Sequence, residues 1–526
     1  MSITSLTFLM FVLVLTIVYF VVPKKYQWTV LLGASLIFYL STGIENILYI
    51  LITALSTYAA TRYMQNVTDV QKTYLKDNKE ILSREERNAI KHANNKKRKK
   101  AMLAVLLLNL GLLGFFKYSV FFLETVNAII PVVDRDVFSA LENLIMPLGI
   151  SFYTFQTMGY LVDIYWEKYD AEKNFFRVLL FVSFFPQITQ GPISDYKSLT
   201  KELFSEHEFT YKNYSYGIQR MMWGFYKKIA VADLIAPALK TVFRDYSSVS
   251  GLATLIWAFL YSVQLYADFS GYMDIVCGMS EIWGIRLTEN FNRPYFSKSV
   301  TEYWRRWHMS LGAWFKTYLY YPIGVSKWNK NFSKKIQKLL GLKAQTMAAT
   351  TAMIAVWSCT GLWHGATWGY VLWGGINGLF VIMAMWLEDF YEKSRTTLHI
   401  NPNNFFWRAF QVARTFTIVT FIKLLPATGS IKQGAGFIAN IFINMAVPFS
   451  LSEIMLDEVV KTCIVFSGIL LMLIMSLIQR KGSVRDWLQK KPAFVRWIVF
   501  VAIFMITIIA IDPVSPEAGG FMYAKF

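Results

Sequence analysis

The strongest constraint in this sequence is the recurrence of apolar runs long enough to cross a bilayer, from residues 6–22 through to 497–511. About twenty consecutive apolar residues span the hydrocarbon core as a helix, because that core has no water to satisfy an open backbone. Further runs fall near 27–41, 45–60, 101–125, 144–165, 176–189, 216–243, 251–284, 347–386, 406–425, 433–449 and 461–478. They are continuous rather than alternating, which argues against a β-barrel. Several are too long for one span, and the prolines within 147–149 and 186–192 interrupt two of them. The expected fold is therefore an all-α polytopic integral membrane protein with roughly 11–15 transmembrane, re-entrant and interfacial helices.

Composition agrees. Of 526 residues, 55% are hydrophobic and only 17% charged, which excludes disorder and a long coiled coil. The formal charge of +19 sits between the apolar runs and forms no single stripe, so membrane topology accounts for it better than nucleic acid does. Residues 61–100 carry 12 Lys/Arg against 5 Asp/Glu, and the positive-inside rule puts this stretch in the cytoplasm as a basic loop. Counting back three spans sets Lys24 and Lys25 inside and the N-terminus outside. The first apolar run precedes its lysines and lacks a small-residue cleavage site, so it reads as a retained span. Cys277, Cys359 and Cys463 are too dispersed for a disulfide framework or a zinc pattern.

Between 286 and 343, 12 Lys/Arg face only Glu289 and Glu302, with aromatic residues interleaved. Amphipathic helices at the cytoplasmic interface suit that pattern.

Few ionisable residues fall within the apolar segments. His364 lies in the uncharged stretch 357–373, read as one helical run, with Gly361, Gly365 and Gly369 forming a small-residue ridge beside it. An ionisable group there is a functional candidate by default, and equally a hydrogen-bonded core histidine. His308 ends the string YWRRWH (303–308). At helical spacing Trp304, Trp307, His308 and Leu311 share a face, with Arg305 and Arg306 pointing elsewhere. That histidine reads either as inward-pointing or as a headgroup-level residue. Asp268 and Asp274 stand in an apolar stretch without a basic residue between Arg244 and Arg286, so each needs a partner. Three roles stay open for them: orienting a histidine, pairing with an arginine of the basic region, or fixing helix packing. His92, His207 and His399 fall in polar connections and read as solvated surface. No HExxH, phosphate loop or nucleophile elbow occurs.

Several strings together resemble the membrane-bound O-acyltransferase family, in the bacterial branch of the alginate O-acetylation membrane subunit. They are PLGISFYTFQ (147–156) with YLVD (160–163), FFPQ (184–187) with GPI (191–193), GFYKKIAVAD (224–233), DFSGYMD (268–274), ENFNRPY (289–295), YWRRWH (303–308) and SCTGLWHG (358–365). The likeness covers roughly 100–390, with a weaker match at 521–526. Asn377 stands where the family often has histidine, and Phe421 to Lys423 where a Phe-Phe-Arg-Ala stretch is common.

The resemblance implies a catalytic core at 101–390, N-terminal transmembrane helices at 1–60, C-terminal ones at 391–526, and a central tunnel. It implies His364 as the catalytic histidine and His308 as a second catalytic residue, with Gln187, Asp268, Trp304, Arg305, Arg306 and Lys316 binding substrate or donor. No metal and no bound cofactor are expected. The donor would be an acyl thioester, either acetyl-CoA or an acyl-phosphopantetheine carrier protein. An imidazole suits the base that activates an acceptor hydroxyl. The expected setting is the cell (plasma or inner) membrane. The expected partners are membrane lipid, an extracytoplasmic polysaccharide-acetylating enzyme and a cytoplasmic acyl carrier protein, and nucleic acid is not among them. D-alanyl transfer to teichoic acid is the alternative within the family. A lipid-linked sugar transporter and a non-catalytic scaffold are the alternatives outside it.

Overall fold

The computed structural model describes residues 1–130, 141, 146–341 and 343–511. Its described residues are helical and contain no strand; the isolated bridge Phe291–Trp307 is the sole β-type pairing among them. Among the described residues, five helices are long and apolar enough to cross a membrane: Ile44–Asp77, Arg84–Asn127, Gly251–Ile282, Trp368–Trp386 and Val459–Ile478. Leu6–Val21 and Ala493–Ile509 are shorter apolar helices. The all-α polytopic membrane architecture is thus what the chain forms. Short pieces such as Phe185–Ile188, Val300–Trp304 and Tyr321–Val325 make its helical segments more numerous than 11–15. The motif at 521–526 lies outside the described residues.

The chain divides into two compact units, one built on Ser5–Thr210 with Trp283–Leu287, the other on Tyr211–Ile282 and the residues from Thr288 onward. The boundary between them falls at 210/211. Position 100 lies within the helix Arg84–Asn127 and position 390 within the helix Glu388–Thr397.

In the first unit, α1 (Leu6–Val21) and α2 (Gln27–Leu40) bury Phe8 and Phe38 against Phe185, edge-on from Phe8 and tilted from Phe38. The basic stretch 61–100 is not a loop. It continues α3 (Ile44–Asp77) and begins α4 (Arg84–Asn127), with a turn at 78–83 between them. Ser83 and Glu86 close that turn with a reciprocal capping box, which satisfies donors otherwise left open at the helix start. At 1.5 Å per residue a 44-residue helix runs about 66 Å, roughly twice the hydrocarbon core. The surplus length carries the lysines and arginines clear of the apolar zone. His207, expected on the surface, is half-buried. It shares a hydrogen bond with the Tyr19 hydroxyl at 2.9 Å and packs over Gly284, where a Cβ would stand 2.7 Å from the ring.

The second unit is organised on α5 (Tyr211–Tyr226) and α6 (Gly251–Ile282). Gly217 meets the Gly278 backbone and Gly224 meets the Gly271 backbone so closely that any Cβ would clash. Glycines seven apart on both helices, paired in reverse order, bring two antiparallel backbones into direct contact. A π-helical stretch, Lys227–Asp233, follows α5 and turns two lysines inward against α6. The chain continues through the short α7 (Met309–Phe315) to α8 (Lys327–Leu340), α9 (Ala344–His364) and α10 (Trp368–Trp386). After these come α11 (Phe405–Ala427), α12 (Ile431–Ile443), α13 (Val459–Ile478) and Ala493–Ile509. α8 is amphipathic, with Lys330, Lys334, Lys335 and Lys338 outward and Asn329 inward, donating to the Ala348 carbonyl at 2.9 Å. A core of Leu265, Phe269, Met273, Tyr303, Trp307, Trp357 and Val381 lies under the site described next.

Candidate active site

The stretch 357–373 is not one helix. α9 ends at His364, residues 365–367 are extended or turned, and α10 starts at Trp368. Gly361, Gly365 and Gly369 consequently do not form one ridge. Gly361 meets Gly374 and the Tyr370 carbonyl on α10, Gly365 lies against the Tyr370 ring, and Gly369 lies against Pro426. At the break Gly365 packs flush against Tyr370, where a Cβ would stand 2.2 Å from the ring.

His364, the last helical residue, is buried with its Nδ1 2.7 Å from the carbonyl oxygen of Thr360. A carbonyl only accepts, so Nδ1 carries the proton and Nε2 keeps the lone pair. His364 lines a cavity of about 30 Å³ with Trp304, Trp307, Tyr370, Trp373 and Lys423. That is room for a single water molecule or hydroxyl group.

His308 arrives from a different local structure. The helix Val300–Trp304, capped by Ser299, stops at Trp304, and His308 takes a left-handed backbone with φ of 49°. Trp304, Trp307, His308 and Leu311 therefore do not lie along one helical face. Residues 290–292 hold the turn from the other side. Met309 N donates to the Asn290 carbonyl at 3.0 Å, Ser310 N to Asn290 Oδ1 at 2.9 Å, and Asn292 N to the Arg306 carbonyl at 2.9 Å. The turn buries the His308 side chain to 1% exposure, with its ring centroid 6.4 Å from that of His364 and edge-on to it. Phe269 and Trp363 pack on the same ring, and neither of its nitrogens has a hydrogen-bond partner among the described residues. A buried imidazole without a partner is costly, which makes this nitrogen pair available to a ligand.

The other residues singled out in the sequence are dispersed. Trp304 donates from Nε1 to Asn377 Oδ1 at 3.0 Å and contacts Trp357 and Trp373, forming one wall of the His364 cavity. Asp268 pairs with Lys228 at 2.8 Å, both 1% exposed, and Lys228 also reaches Asp233. Asp274 binds Lys227 at 2.6 Å and Arg220 at 2.9 Å. The partners of both carboxylates come from α5 and the π-helical stretch after it, and not from the basic region. Arg305 and Lys316 are exposed, while Arg306 pairs with Glu302. Gln187 belongs to the first unit, where it donates to the Pro192 carbonyl and Ser194 Oγ. Cys277, Cys359 and Cys463 are free thiols, and no group of three or more potential metal ligands occurs among the described residues.

Two residues of the site were not recognised as such in the sequence. Lys423 on α11 lies under the rings of Trp307, Tyr295 and Tyr303 at 4.3, 4.9 and 5.1 Å, and donates to the Tyr295 hydroxyl at 3.0 Å. Its signal was present as a cation inside an apolar run. Asn377 stood out only as a departure from the family's histidine, and its contact with Trp304 could not be read from the sequence.

The model of the membrane-bound O-acyltransferase family matches residues 170–422, which include both histidines. A protein named probable alginate O-acetylase from Azotobacter vinelandii is 36% identical over 273 residues, 52% of this chain and 51% of that one. The peptidoglycan O-acetyltransferase of Helicobacter pylori is 32% identical over 300 residues, covering 52% and 53%. The teichoic acid D-alanyltransferase of Bacillus subtilis is 29% identical over 291 residues, covering 53% and 68%. The chain spans about half the length of the two acetylating relatives.

Proposed function

Because the chain belongs to the membrane-bound O-acyltransferase family, we propose that it transfers an acetyl group from a cytoplasmic thioester donor for O-acetylation of an extracellular polysaccharide. The observation that carries the reading is the His364–Thr360 hydrogen bond, which leaves Nε2 unprotonated on a buried imidazole that lines a small cavity and whose ring centroid lies 6.4 Å from that of His308. Nε2 takes the proton of an acceptor hydroxyl as its oxygen attacks the thioester carbonyl. The C–S bond then breaks, and the proton on His364 passes to the departing thiolate. His308, with no competing hydrogen bond, donates a ring N–H to the carbonyl oxygen and so stabilises the charge that develops there.

The acceptor at this site is either the polymer hydroxyl itself or a hydroxyl of an extracytoplasmic partner enzyme that relays the acetyl group. A tunnel would connect the donor side to the outside, with acetyl-CoA or a cytoplasmic acyl carrier protein delivering the thioester. The second reading, D-alanyl transfer to teichoic acid, draws on the match to the D-alanyltransferase, of which this chain covers 68%.

Ester-linked acetate and D-alanine on the extracellular polymers of cells carrying the wild type or His364→Ala, at matched membrane abundance, test the proposal. Loss of acetate alone is expected. Loss of D-alanine alone would select the second reading, and no change in either would leave a transporter or scaffold.

A further inference from the structure

Away from the histidines, the second unit contains a cleft of about 880 Å³ beside α11 and α13. Its lining includes Arg293, Lys298, Arg306, Arg408 and Arg480, and no Asp or Glu is among the residues lining it. Arg306 is tied to Glu302, but Arg293, Lys298, Arg408 and Arg480 have no carboxylate partner among the described residues. Arg293 is held in place by its backbone, with φ of 50°, and by packing on Phe296. Burial lowers its pKa, and the Arg306 and Arg480 charges lower it further, so the cations repel one another as they stand. An anion would remove that penalty.

The rest of the lining is largely apolar. Val412 and Phe416 of α11 and Leu473 and Leu477 of α13 belong to it, on helices whose outer faces are already apolar. A small phosphate would use the cations and leave this apolar lining bare. A ligand with a phosphate head and hydrocarbon tails uses both, and basic pockets between membrane helices recognise such headgroups.

We propose that this cleft is a specific site for one anionic glycerophospholipid, its phosphate held by Arg293 and Arg480 and its acyl chains lying between α11 and α13. The site is separate from the histidine cavity, with which it shares no lining residue. The inference therefore does not depend on acyl transfer.

Native mass spectrometry of the full-length chain in detergent, offered phosphatidylglycerol or phosphatidylcholine, tests it. One phosphatidylglycerol per chain should be retained in preference to phosphatidylcholine. At about 1 kcal/mol per cation, Arg293→Gln with Arg480→Gln should weaken retention about thirtyfold. Arg480→Gln alone, at an exposed position that disturbs no packing, should weaken it about fivefold. Lys334→Gln with Lys335→Gln, on cations outside the cleft, should change nothing. Equal retention of the two lipids, or full retention by both Arg480 variants, would overturn the proposal. Displacement of the lipid by millimolar inorganic phosphate or coenzyme A would also overturn it, and would reassign the cleft to a free phosphate ligand.

Discussion

Lys228 and Asp268 form an ion pair of 2.8 Å in which both side chains are 1% exposed. Lys228 comes from the π-helical stretch after α5 and Asp268 from the middle of α6, so the pair joins two helices at the depth where a lone charge is least tolerable. Removing Asp268 strips the buried Lys228 of one of its two carboxylates and leaves it Asp233, which is 20% exposed. The cost therefore lies below the roughly 3–5 kcal/mol of a fully stranded charge. Asp268→Ala should accordingly lower the unfolding temperature in detergent. Combining it with Lys228→Met should recover much of the loss, and a double variant no more stable than the single one would contradict the pairing.

The glycine contacts between the same helices make a second prediction. A Cβ on Gly224 would stand 2.6 Å from the Gly271 carbonyl oxygen, whereas one on Gly33 meets nothing within 4 Å. Gly224→Ala should cost about 1–3 kcal/mol through forced separation of the backbones, and Gly33→Ala should not destabilise. Thermal unfolding of the two variants side by side distinguishes them.

Asn377 should act through Trp304. Asn377→Leu strands the indole N–H, costing about 1–3 kcal/mol, and loosens one wall of the His364 cavity. Transfer rate should fall in Asn377→Leu. Trp304→Phe with Asn377→Leu should be more stable than Asn377→Leu alone, because no donor is then left unsatisfied. A double-mutant cycle with no coupling would remove Asn377 from the site.

Lys423 should oppose stability and support activity. It is a buried cation with no carboxylate partner among the described residues, held under three aromatic rings and facing the His364 cavity. Lys423→Met should raise the unfolding temperature while lowering the transfer rate, a trade expected where a site is kept at a structural cost. A variant that loses both would point to a purely structural lysine.

In the first unit, burial acts to raise the Glu167 carboxyl, but the hydrogen bond and charge of Arg98 outweigh it and hold the group below its ordinary 4.5. A depressed carboxyl stabilises the fold above its unfolded pKa, and that contribution disappears as pH falls through the folded value. The wild type should therefore lose stability below about pH 4.5 more steeply than Glu167→Gln, as followed by thermal unfolding across pH.

The helical membrane class was legible in the sequence because the bilayer itself imposes it: long apolar runs leave the backbone one way to satisfy its hydrogen bonds. Local chemistry was legible to the same extent. Proline and glycine at 147–149 and 186–192 marked true interruptions, and His308, His364 and Asp268 stood out as ionisable groups in apolar surroundings. Periodicity failed where a contact distant in sequence decides the local backbone. Asn290 holds His308 in a left-handed turn, and at 61–100 the ends of two long helices with a turn at 78–83 stand where a loop was expected. Partner choice was equally invisible. Asp268 and Asp274 needed cations, but the packing of two glycine-faced helices assigned them Lys228 and Lys227. The same packing order set Lys423 and Asn377 beside the histidines. Solvent acts on each residue where it stands in the chain, whereas the site is made by side chains from five separate segments, and only the tertiary structure brings those together.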